Sequence, residues 1–126
     1  MLIYRLKAFG RFQRRERIAD DALAKAVRDA ESGLVDADLR GGLIKQRVAR
    51  PGRGKSGSYR TIIAYRRGDR AVFLYGFAKN ERANLDDAEL AYWRRIGGNY
   101  LSLDDEGMEA AIAVGELAEV GHGDED

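Results

Sequence analysis

Apolar and polar positions alternate at the start of the chain, Leu2, Tyr4 and Leu6 falling against Ile3, Arg5 and Lys7. A period of two marks a strand, so Met1 to Lys7 is expected to form one. Ala8 to Arg17 then reads as a basic helix with Phe9 and Phe12 on one face. Ile18-Ala19-Asp20 breaks it, and Asp20 is placed to cap a second helix by accepting backbone N–H bonds. Leu23, Ala26, Val27 and Ala30 recur there at the spacing of one apolar face, and Gly33 stops the run. Leu34 to Gly42 is a connector whose Gly41-Gly42 pair permits a close approach to a sheet. Strands are expected over Leu43 to Ala49, Tyr59 to Arg66 and Arg70 to Ala78. Pro51 ends the first of these, because proline cannot donate to a ladder. Arg50 to Ser58 is a basic, glycine-rich loop, and Arg67-Gly68-Asp69 is a short hairpin turn. Val72 to Tyr75 and Phe77 are apolar in an almost unbroken run, which predicts a central strand covered on both sides. Asp86 or Asn84 can cap a third helix to about Leu101, with Leu90, Trp93 and Ile96 toward the core and a kink or early end at Gly97-Gly98. A short helix from Asp104 through Val114 and a terminal strand over Leu117 to Val120 complete the pattern. The fold class is α+β, a small antiparallel sheet with helices packed on it.

Length and composition narrow the class. The chain has 126 residues, 44% of them apolar and 34% charged, which suits one globular domain of modest core. Residues 1–121 are expected to form that domain, with residues 122–126 as a frayed acidic tail. There is no cysteine, hence no disulfide framework and no thiolate metal site. The one histidine, His122, stands in GHGDED, where a solvated tail residue is the natural reading. No apolar run is long enough to cross a bilayer and the start lacks a signal-peptide pattern, so a cytoplasmic location with no membrane partner is expected.

Charge changes the picture more. Arg40 to Arg82 carries twelve Lys/Arg against two acids, and Ala83 to Asp126 carries two against twelve, so a net charge of +1 hides a basic middle and an acidic end. Such segregation fits a polyanion-binding surface. Lys45 and Arg47 are two apart and so point to one face of their strand. Arg60 lies on the next strand and can be brought beside them. Lys79 and Arg82 follow the last strand at the same end of the sheet. Five cations gathered there would hold a phosphate, arginine through a two-pronged hydrogen bond. The plainer alternative is a solvated basic face. Alternate placement of the cations, the lack of matching acids in the stretch, and the chance for Tyr59, Tyr65 and Tyr75 to stack on bases favour function. Arg50, Arg53 and Lys55 belong to the basic loop and would touch a nucleic-acid backbone. Arg53-Gly54-Lys55-Ser56-Gly57 is not a nucleotide phosphate loop, since Ala49 stands where the first glycine belongs and a strand follows instead of a helix. Asp86, Asp87 and Glu89 complement a helix dipole without need of a metal.

LVDADL, GGLIKQRVARPGRGKSGSYRT and YGFAKNERANL closely resemble the HigB-type branch of the RelE/ParE toxins of bacterial type II toxin–antitoxin systems, across Lys7 to Leu103. The resemblance implies a RelE-like fold, with two N-terminal helices and a C-terminal helix on a small antiparallel sheet. It implies a ribosome-dependent endoribonuclease that cuts translated mRNA, needs no cofactor and is restrained by a helix-turn-helix antitoxin. The family's catalytic cations fall on Lys45, Arg47, Arg60 and the segment Lys79 to Arg82, with Asn80 at the gap-free position of the final arginine. Asp86 stands where relatives carry a tyrosine, so Tyr92 or Tyr59 substitutes, or no tyrosine takes part. Cleavage would run by 2′-hydroxyl attack without metal. Arginine and lysine stabilise a pentavalent phosphate but are poor bases, so a site without histidine should depend on the ribosome to align the reacting atoms. A ParE-like toxin that binds a topoisomerase, or a non-catalytic RNA-binding module, would use the same fold without the chemistry.

Overall fold

The computed structural model describes residues 1–50 and 54–121, the side chains of 54–56 excepted. Its elements are β1 (Leu2–Leu6), α1 (Lys7–Arg15), α2 (Asp20–Glu31), β2 (Ala37–Arg40), β3 (Leu43–Arg50), β4 (Gly54–Arg66), β5 (Arg70–Ala78), α3 (Asp87–Ser102), α4 (Asp105–Ala113) and β6 (Leu117–Glu119). The six strands form one sheet in the order β2-β3-β4-β5-β1-β6. Every pairing is antiparallel except β1 with β5. The expected α+β class is found, with one parallel pair that the alternation of residues could not reveal.

Both faces of the sheet are covered. On one, α1 and α2 press Phe9, Phe12, Leu23 and Val27 onto Ile44, Val48, Tyr59, Ile63 and Phe73. On the other, Tyr100, Leu101 and Met108 from α3 and α4 meet Leu43, Ile62, Val72 and Leu74. The continuous apolar run of β5 is explained by this double burial. Strand alternation is interrupted once, where Ile62 pairs with Tyr75 but Ile63 with Phe73. The extra residue, Leu74, makes a bulge that turns Tyr75 to the α3 face, away from the side taken by Phe73.

Several expectations are corrected. Strand β4 begins at Gly54, so the stretch Arg50 to Ser58 is not a loop throughout: Arg50 pairs with Gly54, while Pro51 to Arg53 lie outside the described residues, as does His122 with the tail. The connector contains a strand, β2, templated by β3 through Ala37 opposite Lys45. Asp20 does not cap α2; it is the helix's first residue, and its carboxylate accepts from Arg5 Nη1 at 3.0 Å, Gln13 Nε2 at 2.7 Å and the Gly121 N–H at 2.8 Å. Burial opposes its ionisation, but these donors outweigh that and hold its carboxyl below the ordinary aspartate range. Helix α3 runs unbroken through Gly97-Gly98. A side chain at Gly97 would come within 3.1 Å of both Ala64 and Leu43, so the glycine lets the helix lie close on the sheet. Asp86 caps α3 as expected, in a reciprocal box with Glu89.

Candidate nucleic-acid interface

Register decides which cations meet. Arg47 pairs with Arg60, and Lys45 with Ile62; Arg60 in turn pairs with Phe77, and Ile62 with Tyr75. Directly paired residues share a face, so two rows cross three strands: Arg47–Arg60–Phe77 and Lys45–Ile62–Tyr75. Both rows lie on the α3 side, beyond the first turn of the helix. Arg82 closes their far ends, its guanidinium 5.7 Å from the centre of the Phe77 ring and beside the Tyr75 hydroxyl. Lys45, Arg47, Arg60 and Arg82 therefore border one patch. Lys79 and Asn80 follow β5 directly and are exposed.

The cations are held differently. Arg60 is mostly buried, at 13% side-chain exposure, with its Nε 3.4 Å from Asp36 Oδ2 and its Nη1 donating to Ser58 Oγ at 2.7 Å. Arg82 grips Glu89 in two-pronged fashion, Nη1 to Oε2 at 2.9 Å and Nη2 to Oε1. Their hydrogen bond raises the arginine's pKa and lowers the carboxylate's. Lys45 Nζ donates to Asn84 Oδ1 at 3.1 Å. Arg47 is exposed and pairs with no carboxylate among the described residues. The stretch thus lacks acids only along the chain; in space Asp36 and Glu89 supply them from outside it. Asp36 and Ser58 carried no sequence signal and Asn84 was offered only as an alternative helix cap, a role that Asp86 takes, whereas Glu89 was readable as the reciprocal partner of a capping aspartate three residues earlier.

Other expected contacts fall elsewhere. Tyr59 is 1% exposed on the opposite face, edge-on to Phe12, its hydroxyl donating to Glu16 at 2.9 Å. Its ring is closed to a base, and so is its hydroxyl to a phosphate. Arg50 goes with it, stacked 5.3 Å from the Tyr59 ring centre on the α1 side. Tyr65 also faces that side and bonds Glu31. The side chains of Arg53 and Lys55 lie outside the described residues. Of the three tyrosines offered for stacking, Tyr75 stays on the cationic face, near-parallel to Trp93 at 5.6 Å and 22°. Tyr92 is 46% exposed on α3, edge-on to Trp93. Among the described residues no cluster of His, Asp or Glu is arranged to hold a metal.

The domain thus lines up arginines and a lysine across neighbouring strands, over aromatic rings, as one positively charged face. The chain belongs to the RelE toxin family of the RelE/RelB toxin–antitoxin system, whose match runs over residues 1–120. It is accordingly the toxin member of such a pair, and an antitoxin is its partner. Comparison with curated proteins gives no match. No helix among the described residues is long and apolar enough to cross a membrane.

Proposed function

We propose that the chain is a HigB-type endoribonuclease that cuts mRNA on the ribosome and is neutralised by a helix-turn-helix antitoxin. The observation that carries this reading is the register of β3 and β4, which sets Arg47 against Arg60 with Lys45 one step along the same face. In this reading a transcript's scissile phosphate sits over Arg47 and Arg60, and positive charge meets the two negative charges that develop as the 2′-oxygen attacks. Arg60 arrives pre-aligned by Asp36 and Ser58, so little rotamer freedom is lost when phosphate binds. Arg82 closes the site from the far side. Among the described residues the face carries no histidine to serve as a ready base. Alignment of the 2′-hydroxyl is then the main remaining source of rate, which suits a substrate held by the ribosome. Tyr75 is the tyrosine best placed to exchange a proton, because Tyr59 is buried on the reverse face.

Primer extension on cellular mRNA after induction tests the reading. Wild type should produce discrete 5′ ends within translated frames. Arg60→Ala, checked for folding by circular dichroism, should produce none. Equal cutting of naked RNA and ribosome-bound mRNA by purified protein would remove the ribosome from the mechanism. Growth arrest with intact mRNA would remove the nuclease.

A further inference from the structure

The geometry points to a nucleobase subsite in the hollow at the open edge of β5, where a base flanking the cleaved bond is held; this rests on the RNA-cleaving reading above. Strand β1 follows β5 only as far as Arg5 opposite Phe73, so Leu74 to Ala78 has no strand on that side. A hollow of about 560 Å³ opens there between α1 and α3, a size within the usual range for small-ligand sites. Its floor includes Tyr75, Gly76 and Phe77, and Trp93 forms one wall.

Four features fit a base in this place. The bulge at Leu74 brings Tyr75 onto the cationic face, and its near-parallel stacking with Trp93 fixes an aromatic platform that neither ring would hold alone. The Ala78 N–H donates to Glu81 Oε1 at 3.2 Å instead of to β4. Alternation along the strand then turns the N–H and C=O of Gly76 to the same open side, a donor beside an acceptor as on a base edge. The rim carries Arg11, Arg15 and Arg82 against Glu81; Glu16 and Glu89 pair with Arg15 and Arg82, so Arg11 is the rim cation without an ion pair among the described residues and the one most open to a nucleotide's phosphate. Finally, Phe77 is the end of the row that begins at Arg47 and Arg60, so the hollow lies about one strand spacing, ~5 Å, past the phosphate site. Base choice in this hollow would set where the transcript is cut, with Arg11 and Arg15 holding the adjoining backbone.

Trp93 is the sole tryptophan of the chain and reports directly. The full-length protein is titrated at low salt with a short single-stranded RNA, 2′-O-methylated at every position so that it cannot be cut. Tryptophan emission should be quenched at saturation. In Arg11→Ser/Arg15→Ser, two changes on the outer face of a helix, half-saturation should need roughly tenfold more RNA. Tyr75→Leu should abolish the quench, and primer extension should show cuts at altered positions for the double variant. Normal cutting by wild type with no quench, or with cut positions unchanged in the double variant, overturns the subsite and leaves the nuclease standing. Unchanged quenching and cutting in the double variant with weakened antitoxin binding would assign the hollow to a peptide strand added to the β5 edge, and also overturns it. Absence of cutting by wild type is the separate failure of the underlying reading.

Discussion

Arg47 and Arg60 face each other across β3 and β4, and like charges directly opposite in a sheet are destabilising. Asp36 partly neutralises Arg60, whereas Arg47 forms no ion pair among the described residues, although it borders the same hollow as Asp29 and Asp36. Replacing Arg47 by threonine removes the repulsion and puts a good strand former at an exposed strand position. For two unit charges taken to be ~7 Å apart in a water-like medium, the Coulomb term is about 0.6 kcal/mol. Measured cross-strand effects span roughly 0.2–1 kcal/mol, so the two routes agree. For a chain of this size that corresponds to a rise in Tm of about 2–4 °C. Urea unfolding of Arg47→Thr and wild type should show the gain at low salt. At about 1 M salt, where the Debye length is near 3 Å, most of the gain should vanish. The same variant should lose mRNA cutting in the primer-extension assay, a stability gain obtained at the expense of function. A variant no more stable than wild type at low salt, or equally stabilised at both salts, would refute the claim that the cation row strains the sheet.

Gly76→Ala should destabilise by about 1–3 kcal/mol in urea unfolding, because the new Cβ would lie 2.4 Å from Phe12 Cε2 and the ring would have to leave its packing against Phe9 and Tyr59 to make room. Asp20→Ala should cost about 1–2 kcal/mol near neutral pH by stranding the donors of Gln13, Gly121 and Arg5. Since the folded carboxyl of Asp20 lies below its unfolded value, its contribution is full above about pH 5 and fades as pH falls through the folded pKa. The stability difference between wild type and variant, followed by denaturant melts from neutral to acid pH, should therefore shrink on acidification. Glu89→Ala removes both the reciprocal half of the α3 cap and the anchor of Arg82; expected are a small loss of stability and a larger fall in cleavage than in RNA affinity, read by melts, primer extension and filter binding.

Elements with a strong period were legible along the chain: β1, α2, β5 and the capped start of α3 follow from residues a few positions apart. What failed depended on distant neighbours. Strand β2 is four residues, ADLR, with no apolar alternation to mark it, and exists because β3 offers an edge. Gly97-Gly98 looks like a helix break until Leu43 and Ala64 are seen within 3.1 Å of where a side chain would go. The parallel partnership of β1 with β5, and the bulge that re-aims Tyr75, are facts of register that no local pattern encodes. Tyr59 was misplaced for a related reason. A tyrosine one position from Arg60 on a strand must face the other way, and that face is covered by α1.

The site divides along the same line. Cations at alternate positions of one strand could be read as sharing a face, and Arg60 as their neighbour. The restraint on them could not, because counting acids within Arg40 to Arg82 excludes Asp36 and Glu89 by construction. Once those carboxylates are placed, the cations separate into two kinds. Arg60 and Arg82 are already oriented by anions of the protein, so in the proposed function an incoming phosphate must either share them or displace a carboxylate. Lys45 and Arg47 are bound by nothing stronger than an amide oxygen and so respond freely to charge. Rigid cations are what a transition state needs, since reorganisation at the moment of reaction costs rate. Mobile ones are what capture of a flexible strand needs. Removal of Arg47 should therefore flatten the salt dependence of RNA binding more than removal of Arg60, even though the two side chains are neighbours on one row.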